Sequence, residues 1–188
     1  LPEVRSNPPD RCCWCKRKIF RTFLDVCRAR RIAHLLDGTN ADDGHAYRPG
    51  RRALKELGVL SPLGSLGFTK QEIRELSAER GLPTATKPSM PCLATRFEYG
   101  AELTPERIAQ VGRGEAFLRT LLPETADLRL RVQGKNARIE VPAAAFELML
   151  KNRAAIAETL HGLGFEFVTL DLEGYRSGCY DKNLTTEV

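Results

Sequence analysis

The stretch Ile32-Ala33-His34-Leu35-Leu36-Asp37-Gly38-Thr39-Asn40 decides the fold. Its first five residues are a short apolar run and the next four are turn formers, so it reads as a buried strand delivered into a polar loop. Just upstream, Ile19, Phe20, Phe23, Leu24 and Cys27 recur at helical spacing, with Lys16, Arg17, Arg21, Arg28 and Arg31 mostly off that stripe. This predicts an amphipathic helix of about four turns. Helix followed by continuous apolar strand is the α/β pattern, and ligands in open α/β sheets sit beyond the carboxyl ends of strands. The expected ligand loop therefore runs from Gly38 to Asp43.

Downstream, a short helix over about Arg51 to Leu57 closes at Gly58, and Val59-Leu60 reads as another brief strand. Thr69-Lys70-Gln71-Glu72 has the capping-box form, and Gly81 and Pro83 stop that helix after Arg80. From Leu82 to Gly100 the chain is loop-like, with three prolines and Cys92 in its middle, and the domain boundary is placed there.

The second half has the order α-β-β-α-β. Thr104-Pro105 caps a helix to about Leu121 whose stripe of Ile108, Val111, Leu118 and Leu122 is interrupted by Glu115. A carboxylate on a core-facing stripe is paired, lines a cleft, or reaches solvent by a small roll of the helix. Two strands, Leu128 to Gln133 and Ala137 to Val141, flank the turn Gly134-Lys135-Asn136. Alternation sets Arg129, Arg131 and Gln133 on one face, with Arg138 and Glu140 on the polar side of the partner. If those sides coincide, three guanidiniums converge on one surface, a geometry for bidentate grip of phosphate or carboxylate; the alternative is an ordinary solvent face. Pro142 opens a helix through about Leu160 with Phe146, Met149, Leu150, Ile156 and Leu160 buried, and Gly164 to Leu172 is a last strand. The expectation is α/β overall: a partial Rossmann-like parallel-sheet domain over 1–86, then a small α+β domain with an antiparallel sheet over 87–188.

With 188 residues and 42% hydrophobic content the chain can bury a real core. No apolar stretch approaches the roughly 20 residues of a membrane span, and Leu1 to Arg5 lacks the apolar core of a signal peptide, so a cytoplasmic protein with no membrane partner is expected. Residues 1–55 carry 13 Lys and Arg against 6 Asp and Glu, a net of +7 where the whole chain has +5. Such asymmetry suits a phosphate-bearing partner, although a solvated basic helix face produces the same count.

Six cysteines without a secretory signal point to metal or redox chemistry rather than to disulfides. Cys12 and Cys15 form a C-x-x-C pair that can meet one metal or one cluster, with Cys27, Cys92, Cys179, His34, His45 and His161 as the remaining candidate ligands, none paired at zinc-finger spacing. A dithiol redox pair at a helix start is also compatible. Cys92 lies in Lys87-Pro88-Ser89-Met90-Pro91-Cys92-Leu93-Ala94-Thr95-Arg96, between prolines and cations. Such a thiol is poised for attack or ligation, or is a small apolar filler.

Six segments in order resemble one family: Asn7-Pro8-Pro9-Asp10-Arg11-Cys12-Cys13-Trp14-Cys15-Lys16, Asp37-Gly38-Thr39-Asn40-Ala41-Asp42-Asp43, Tyr47-Arg48-Pro49-Gly50, Pro91-Cys92-Leu93-Ala94-Thr95-Arg96, Ala137-Arg138-Ile139-Glu140-Val141 and Leu170-Asp171-Leu172-Glu173-Gly174-Tyr175-Arg176-Ser177-Gly178. Together they are similar to the ATP-dependent sacrificial sulfur transferases of the LarE type, within the PP-loop ATP pyrophosphatases. The resemblance implies that ATP, with Mg2+, adenylates a carboxylate of a pyridinium dicarboxylate mononucleotide and that a sulfur nucleophile displaces AMP, in the synthesis of a nickel-pincer nucleotide. In one version a single cysteine forms a thioester and gives up its sulfur, leaving dehydroalanine; in another, three cysteines hold an iron–sulfur cluster with a replaceable sulfide.

Cys92 resembles the sulfur-bearing cysteine, and the presence of Cys12 and Cys15 favours the cluster version on Cys12, Cys15 and Cys92. By the same resemblance Arg96, Arg129 and Arg131, with Arg138 beside them, grip the phosphate or carboxylates, Glu115 meets the ribose or ring, and Gly38, Thr39, Asn40 and Asp43 form the adenylate side. The expected partner is a nucleotide-like small molecule rather than nucleic acid, and the expected state is a homo-oligomer. The family's Ser-Gly-Gly-x-Asp-Ser phosphate loop occurs nowhere in the chain. Backbone amides of such a loop hold pyrophosphate, so the chain as given is not expected to turn over ATP alone. Two rivals make different predictions. A PP-loop enzyme thiolating tRNA would bind RNA with a steep salt dependence, and a zinc-stabilised basic nucleic-acid-binding module would carry stoichiometric zinc.

Overall fold

The computed structural model describes residues 1–45, 47–176 and 178–180. The His45 side chain, Ser177 of the last quoted motif and the final eight positions of the expected second domain lie outside the described residues. Helices mix with a small three-stranded sheet, in keeping with the α/β expectation. No described helix is long and apolar enough to cross a membrane. The described chain divides into two compact units, one of residues 1–4 and 8–86, the other of residues 5–7 and 87–180.

After the short α1 (Pro2–Arg5), the first unit is built on α2 (Arg11–Ala29), which packs against α3 (Gly50–Glu56). Cys13, Cys27, Ala53, Leu54 and Val59 are buried there, and Arg17 reaches Glu56 at 2.5 Å. Arg31 takes a left-handed φ of 56° and the Ile32 amide donates back to the Cys27 carbonyl at 2.8 Å, which closes the helix. The expected strand does not follow. Ile32, Ala33 and His34 are exposed, Leu36 is 56% exposed, and the segment makes a single parallel bridge, Leu36 to Leu60. A strand is buried only by what lies on its edges and faces, and among the described residues this one has that bridge and no wider parallel sheet. Ile19 and Phe23 of the helix stripe are likewise exposed, as is Val26. The short α4 (Pro62–Ser65) leads into α5 (Lys70–Glu79), whose capping box is as expected: Thr69 Oγ1 accepts from the Glu72 amide and Glu72 Oε2 from the Thr69 amide.

In the second unit, α6 (Pro105–Thr120) starts at the expected Thr104 cap and lies against a hairpin of β1 (Arg129–Gln133) and β2 (Asn136–Glu140). Gln133 pairs with Asn136, so the turn is the two-residue Gly134-Lys135, with Gly134 at a φ of 58°. The predicted single helix after Pro142 is two, α7 (Phe146–Lys151) and α8 (Arg153–Gly162). They break at Asn152, whose side-chain amide donates to the Leu148 carbonyl at 2.8 Å and competes with the backbone ladder. The break leaves Leu150 exposed instead of buried. Because the two helices carry the chain back to the other end of the sheet, β3 (Phe167–Leu170) runs parallel to β2, and the sheet is mixed rather than wholly antiparallel.

The core of this unit joins the apolar side of the sheet to two helices. Val111, Leu118, Leu128, Leu130, Val132, Ala137, Ile139, Ile156 and Leu160 are all buried. A Cβ at Gly114 would lie 2.4 Å from Leu130 Cδ2 and 3.1 Å from Leu160 Cδ2. Both leucines are fully enclosed, so neither can yield. Gly114→Ala is expected to destabilise the protein by about 1–2 kcal/mol despite the helix-propensity gain of up to ~1 kcal/mol. Urea unfolding measures the sign.

Candidate functional site

The polar side of the sheet is set by register. Arg131 pairs with Arg138 and Arg129 with Glu140, so the polar sides of β1 and β2 do coincide. Three guanidiniums therefore share one surface, but they are not equally available. Glu140, 1% exposed, accepts from Arg131 Nε and from Arg138 Nη2, both at 3.0 Å. Arg138 also faces Asp171 at 3.4 Å, and Arg176 bridges Asp171 and Glu173. Arg96 is buried and holds Glu115 with two arms, Nε to Oε1 at 2.6 Å and Nη2 to Oε2 at 2.9 Å. Glu115 Oε1 also accepts from the Leu130 amide at 2.9 Å. The carboxylate on the core-facing stripe is thus paired, and it ties α6 and β1 to Arg96.

Arg129 differs from the other three. It is 4% exposed, and among the described residues no carboxylate lies within ion-pair distance of it. Its Nη1 donates to the Leu128 carbonyl at 2.6 Å, and its Nη2 to the Ser89 carbonyl at 3.1 Å and to the Tyr175 hydroxyl at 3.2 Å. The Tyr175 ring stacks on the guanidinium at 4.9 Å. Burial, and after it the like charge of Arg96, push the Arg129 pKa below its ordinary value. Tyr175, Glu115 and Asp127 pull the other way without reversing the shift.

The same arginines hold the loop that carries Cys92. Arg131 Nη1 donates to the Thr95 carbonyl at 2.6 Å, and Arg96 Nη1 to Thr95 Oγ1 at 2.8 Å. Phe97, 1% exposed, bridges to Val132 of β1. The chain after Cys92 is therefore anchored on the sheet, while Cys92 itself is exposed, which excludes the buried-filler reading. Cys179 is half-buried with its Sγ 3.6 Å from Glu140 Oε1, and burial pushes its thiol pKa up, which disfavours the nucleophilic form. Above the same face the Tyr180 ring stacks on Arg131 at 5.1 Å, and burial pushes its phenol up to about 12.

The first unit has a separate cleft. Thr39 and Asp43 line it with Cys12, Lys16, Tyr47, Arg48 and Arg51, whereas Gly38 and Asn40 do not. Asn40 supports the loop instead, its amide donating to Asp43 Oδ2 at 3.2 Å, and Asp43 pairs with Arg48 at 3.2 Å. Sequence reasoning assigned no role to Lys16, Tyr47, Arg48 or Arg51; the signal was the density of cations flanking a turn-rich loop. The Lys16 stem lies across Gly50, where a Cβ would sit 2.8 Å from its Cδ. Asp37 does not line the cleft but faces Lys16 at 3.8 Å, and its carboxylate accepts from Ser61 Oγ at 2.5 Å and Thr39 Oγ1 at 2.6 Å. Burial works against that charge, but the bonds from Ser61 and Thr39 outweigh it and hold the Asp37 pKa below its ordinary value. Cys12 and Cys15 are half-exposed and, three residues apart on α2, share a helix side, whereas Cys13 is buried and accepts from Arg52 Nε at 3.4 Å. Among the described residues of this unit no third Cys, His, Asp or Glu joins Cys12 and Cys15 in a metal-binding group.

No family model matches the chain. It is 40% identical over 186 residues to an uncharacterised protein of Synechocystis, slr1717, covering 98% of this chain and 69% of that protein. It is 36% identical over 182 residues to the pyridinium-3,5-bisthiocarboxylic acid mononucleotide synthase of Lactiplantibacillus plantarum, covering 97% of this chain and 65% of the synthase. A third relative, the uncharacterised MJ0830 of Methanocaldococcus jannaschii, is 30% identical over 177 residues, with 94% of this chain and 68% of its own length covered. The chain thus spans about two thirds of the length of the curated relatives it matches.

Two outcomes follow from these pairings. Glu115→Ala leaves Arg96 buried without its counter-charge, and the expected loss is about 3–5 kcal/mol in denaturant unfolding. Asp37, with its folded pKa depressed, contributes stability in full above the unfolded carboxyl value of about 3.9 and loses it as pH falls through the lower folded value. Trp14, the chain's one tryptophan and part of the same unit, reports this locally. Thermal melts followed by its fluorescence should drop in midpoint as pH falls below about 4, with Asp37→Asn showing a smaller drop.

Proposed function

We propose that this chain, which belongs to the LarE-type sulfur transferase family, delivers sulfur to an activated carboxylate of a pyridinium dicarboxylate mononucleotide on the route to a nickel-pincer nucleotide. The synthase of Lactiplantibacillus plantarum supports the substrate class by its name. The observation that carries the reading is Arg129, a buried guanidinium with no carboxylate partner among the described residues, bonded to the backbone of the loop that presents Cys92. An anionic group of the substrate supplies the missing counter-charge and brings the reacting carboxyl to the cysteine loop.

In the sacrificial version the steps balance without a redox partner. The Cys92 thiolate attacks the acyl carbon of the adenylated carboxylate, the acyl–oxygen bond breaks and AMP leaves with the electron pair. Loss of the Cα proton then drives cleavage of the Cβ–S bond, giving a thiocarboxylate and dehydroalanine at position 92. For activation by ATP, the cleft of Lys16, Arg48 and Arg51 is suited to the anionic part of the nucleotide. Cys12 and Cys15 on one helix side fit two ligands of an iron–sulfur cluster; such a cluster supplies a sulfide that can be replaced after each transfer.

Intact mass separates the versions. After incubation of the full-length protein with ATP and the mononucleotide, sacrifice removes one sulfur and two hydrogens at Cys92, whereas iron with acid-labile sulfide and an unchanged chain mass mark the cluster version. Arg129→Ala is expected to weaken mononucleotide binding about 10–100-fold, equivalent to ~1.4–2.8 kcal/mol. Unchanged affinity in calorimetry would remove the anion role of this residue. Zinc without sulfide, together with salt-sensitive RNA binding, would point to the nucleic-acid rivals.

A further inference from the structure

The donors of Arg129 are committed in a way that constrains how an anion can enter. A guanidinium offers two bidentate forks, a side-on pair of Nε and Nη2 and an end-on pair of Nη1 and Nη2, and both require a hydrogen of Nη2. Nη2 carries two hydrogens and has two acceptors, the Ser89 carbonyl at 3.1 Å and the Tyr175 hydroxyl at 3.2 Å. Two-point anion binding at Arg129 must therefore displace one of those partners.

The two partners are not equal. The Tyr175 oxygen accepts from Nη2 and keeps its own hydrogen to donate to an incoming anion, and its ring is stacked on the guanidinium. The Ser89 carbonyl has nothing to donate, and its oxygen repels an anion. Ser89 is also on the less anchored side of the loop. After Cys92, Thr95 is held by Arg131 at 2.6 Å and Phe97 is bridged to the sheet. Before it, Met90 is 70% exposed and the Pro91 carbonyl has only a 3.4 Å contact with Arg96. The neighbouring guanidiniums do not share this position, because the side-on fork of Arg96 is filled by Glu115 and the Nε of Arg131 by Glu140.

We propose that Arg129 is a latch on the cysteine loop: an anion gripped by its guanidinium displaces the Ser89 carbonyl and frees the segment ahead of Cys92, and Tyr175 is the positioning residue that makes this exchange obligatory. The inference rests on the anion-binding reading of Arg129 above and extends it to control of the thiol. Without substrate the loop is held on the sheet; with an anion seated, the chain pivots about the anchored Thr95 and Cys92 gains reach. Sulfur chemistry is thereby confined to the occupied site.

The test follows alkylation of Cys92 in the full chain by iodoacetamide, a neutral reagent, read on the Cys92 peptide by mass spectrometry. Inorganic phosphate is the probe, at ionic strength held constant with chloride, and calorimetry measures its binding in parallel. In the wild-type protein saturating phosphate should raise the Cys92 rate about threefold to tenfold, the worth of one net hydrogen bond. Tyr175→Phe leaves one Nη2 hydrogen free, so phosphate should still bind while the Cys92 rate no longer responds. A merely structural Tyr175 would lower the melting temperature and keep the response. Arg129→Lys, which has no fork, should react fast with or without phosphate. Phosphate that binds the wild-type protein yet leaves the Cys92 rate unchanged, or slows it, overturns the latch and leaves the anion reading standing. Absence of phosphate binding overturns both.

Discussion

Glu140 is the interaction on which the sheet surface depends. Its carboxylate is almost wholly enclosed and is shared by Arg131 and Arg138, which are cross-strand neighbours and would otherwise set two like charges directly opposite one another. With the carboxylate between them the repulsion becomes attraction, and the guanidiniums stay in place under the chain that returns over them. Asp171 extends the arrangement to Arg176, so alternating charges run across the polar side of β2 and into the segment after β3.

That saturation is what gives Arg129 its character. Arg96, Arg131, Arg138 and Arg176 each have a carboxylate that fixes them. Arg129 is held by neutral oxygens and an aromatic face, partners that stabilise a cation without cancelling its charge. Arg129 thus differs from its neighbours in having no carboxylate within ion-pair distance among the described residues.

The elements with local causes were legible in the residues. The helix from the cysteine cluster, the Thr69 capping box, the Thr104 cap followed by proline, and the Gly134 hairpin each follow from chemistry within a few residues, and each stands where it was expected. Asn152 shows where local reasoning fell short, since an asparagine in an apolar-periodic run can either ride on the helix or bond back to a carbonyl, and here it bonds back. The segment Ile32 to Leu36 shows the other limit. Its apolar run has the composition of an interior strand, but burial is conferred by neighbours, and among the described residues its β pairing is a single bridge to Leu60.

Sequence alone determined which side chains could do chemistry: a loop cysteine among prolines and cations, a C-x-x-C pair at one end of a helix, and arginines at alternate positions of a strand. Alternation is a property of the backbone, so the shared side of Arg129 and Arg131 needed no coordinates. Tertiary structure decided which of them is available. Whether a guanidinium is neutralised depends on carboxylates brought from distant positions, Glu115 to Arg96 and Asp171 to Arg138, and no spacing rule within a strand encodes those meetings. The distinction between a structural ion pair and an open anion site is made by packing, because desolvation and counter-charge act through space rather than along the chain.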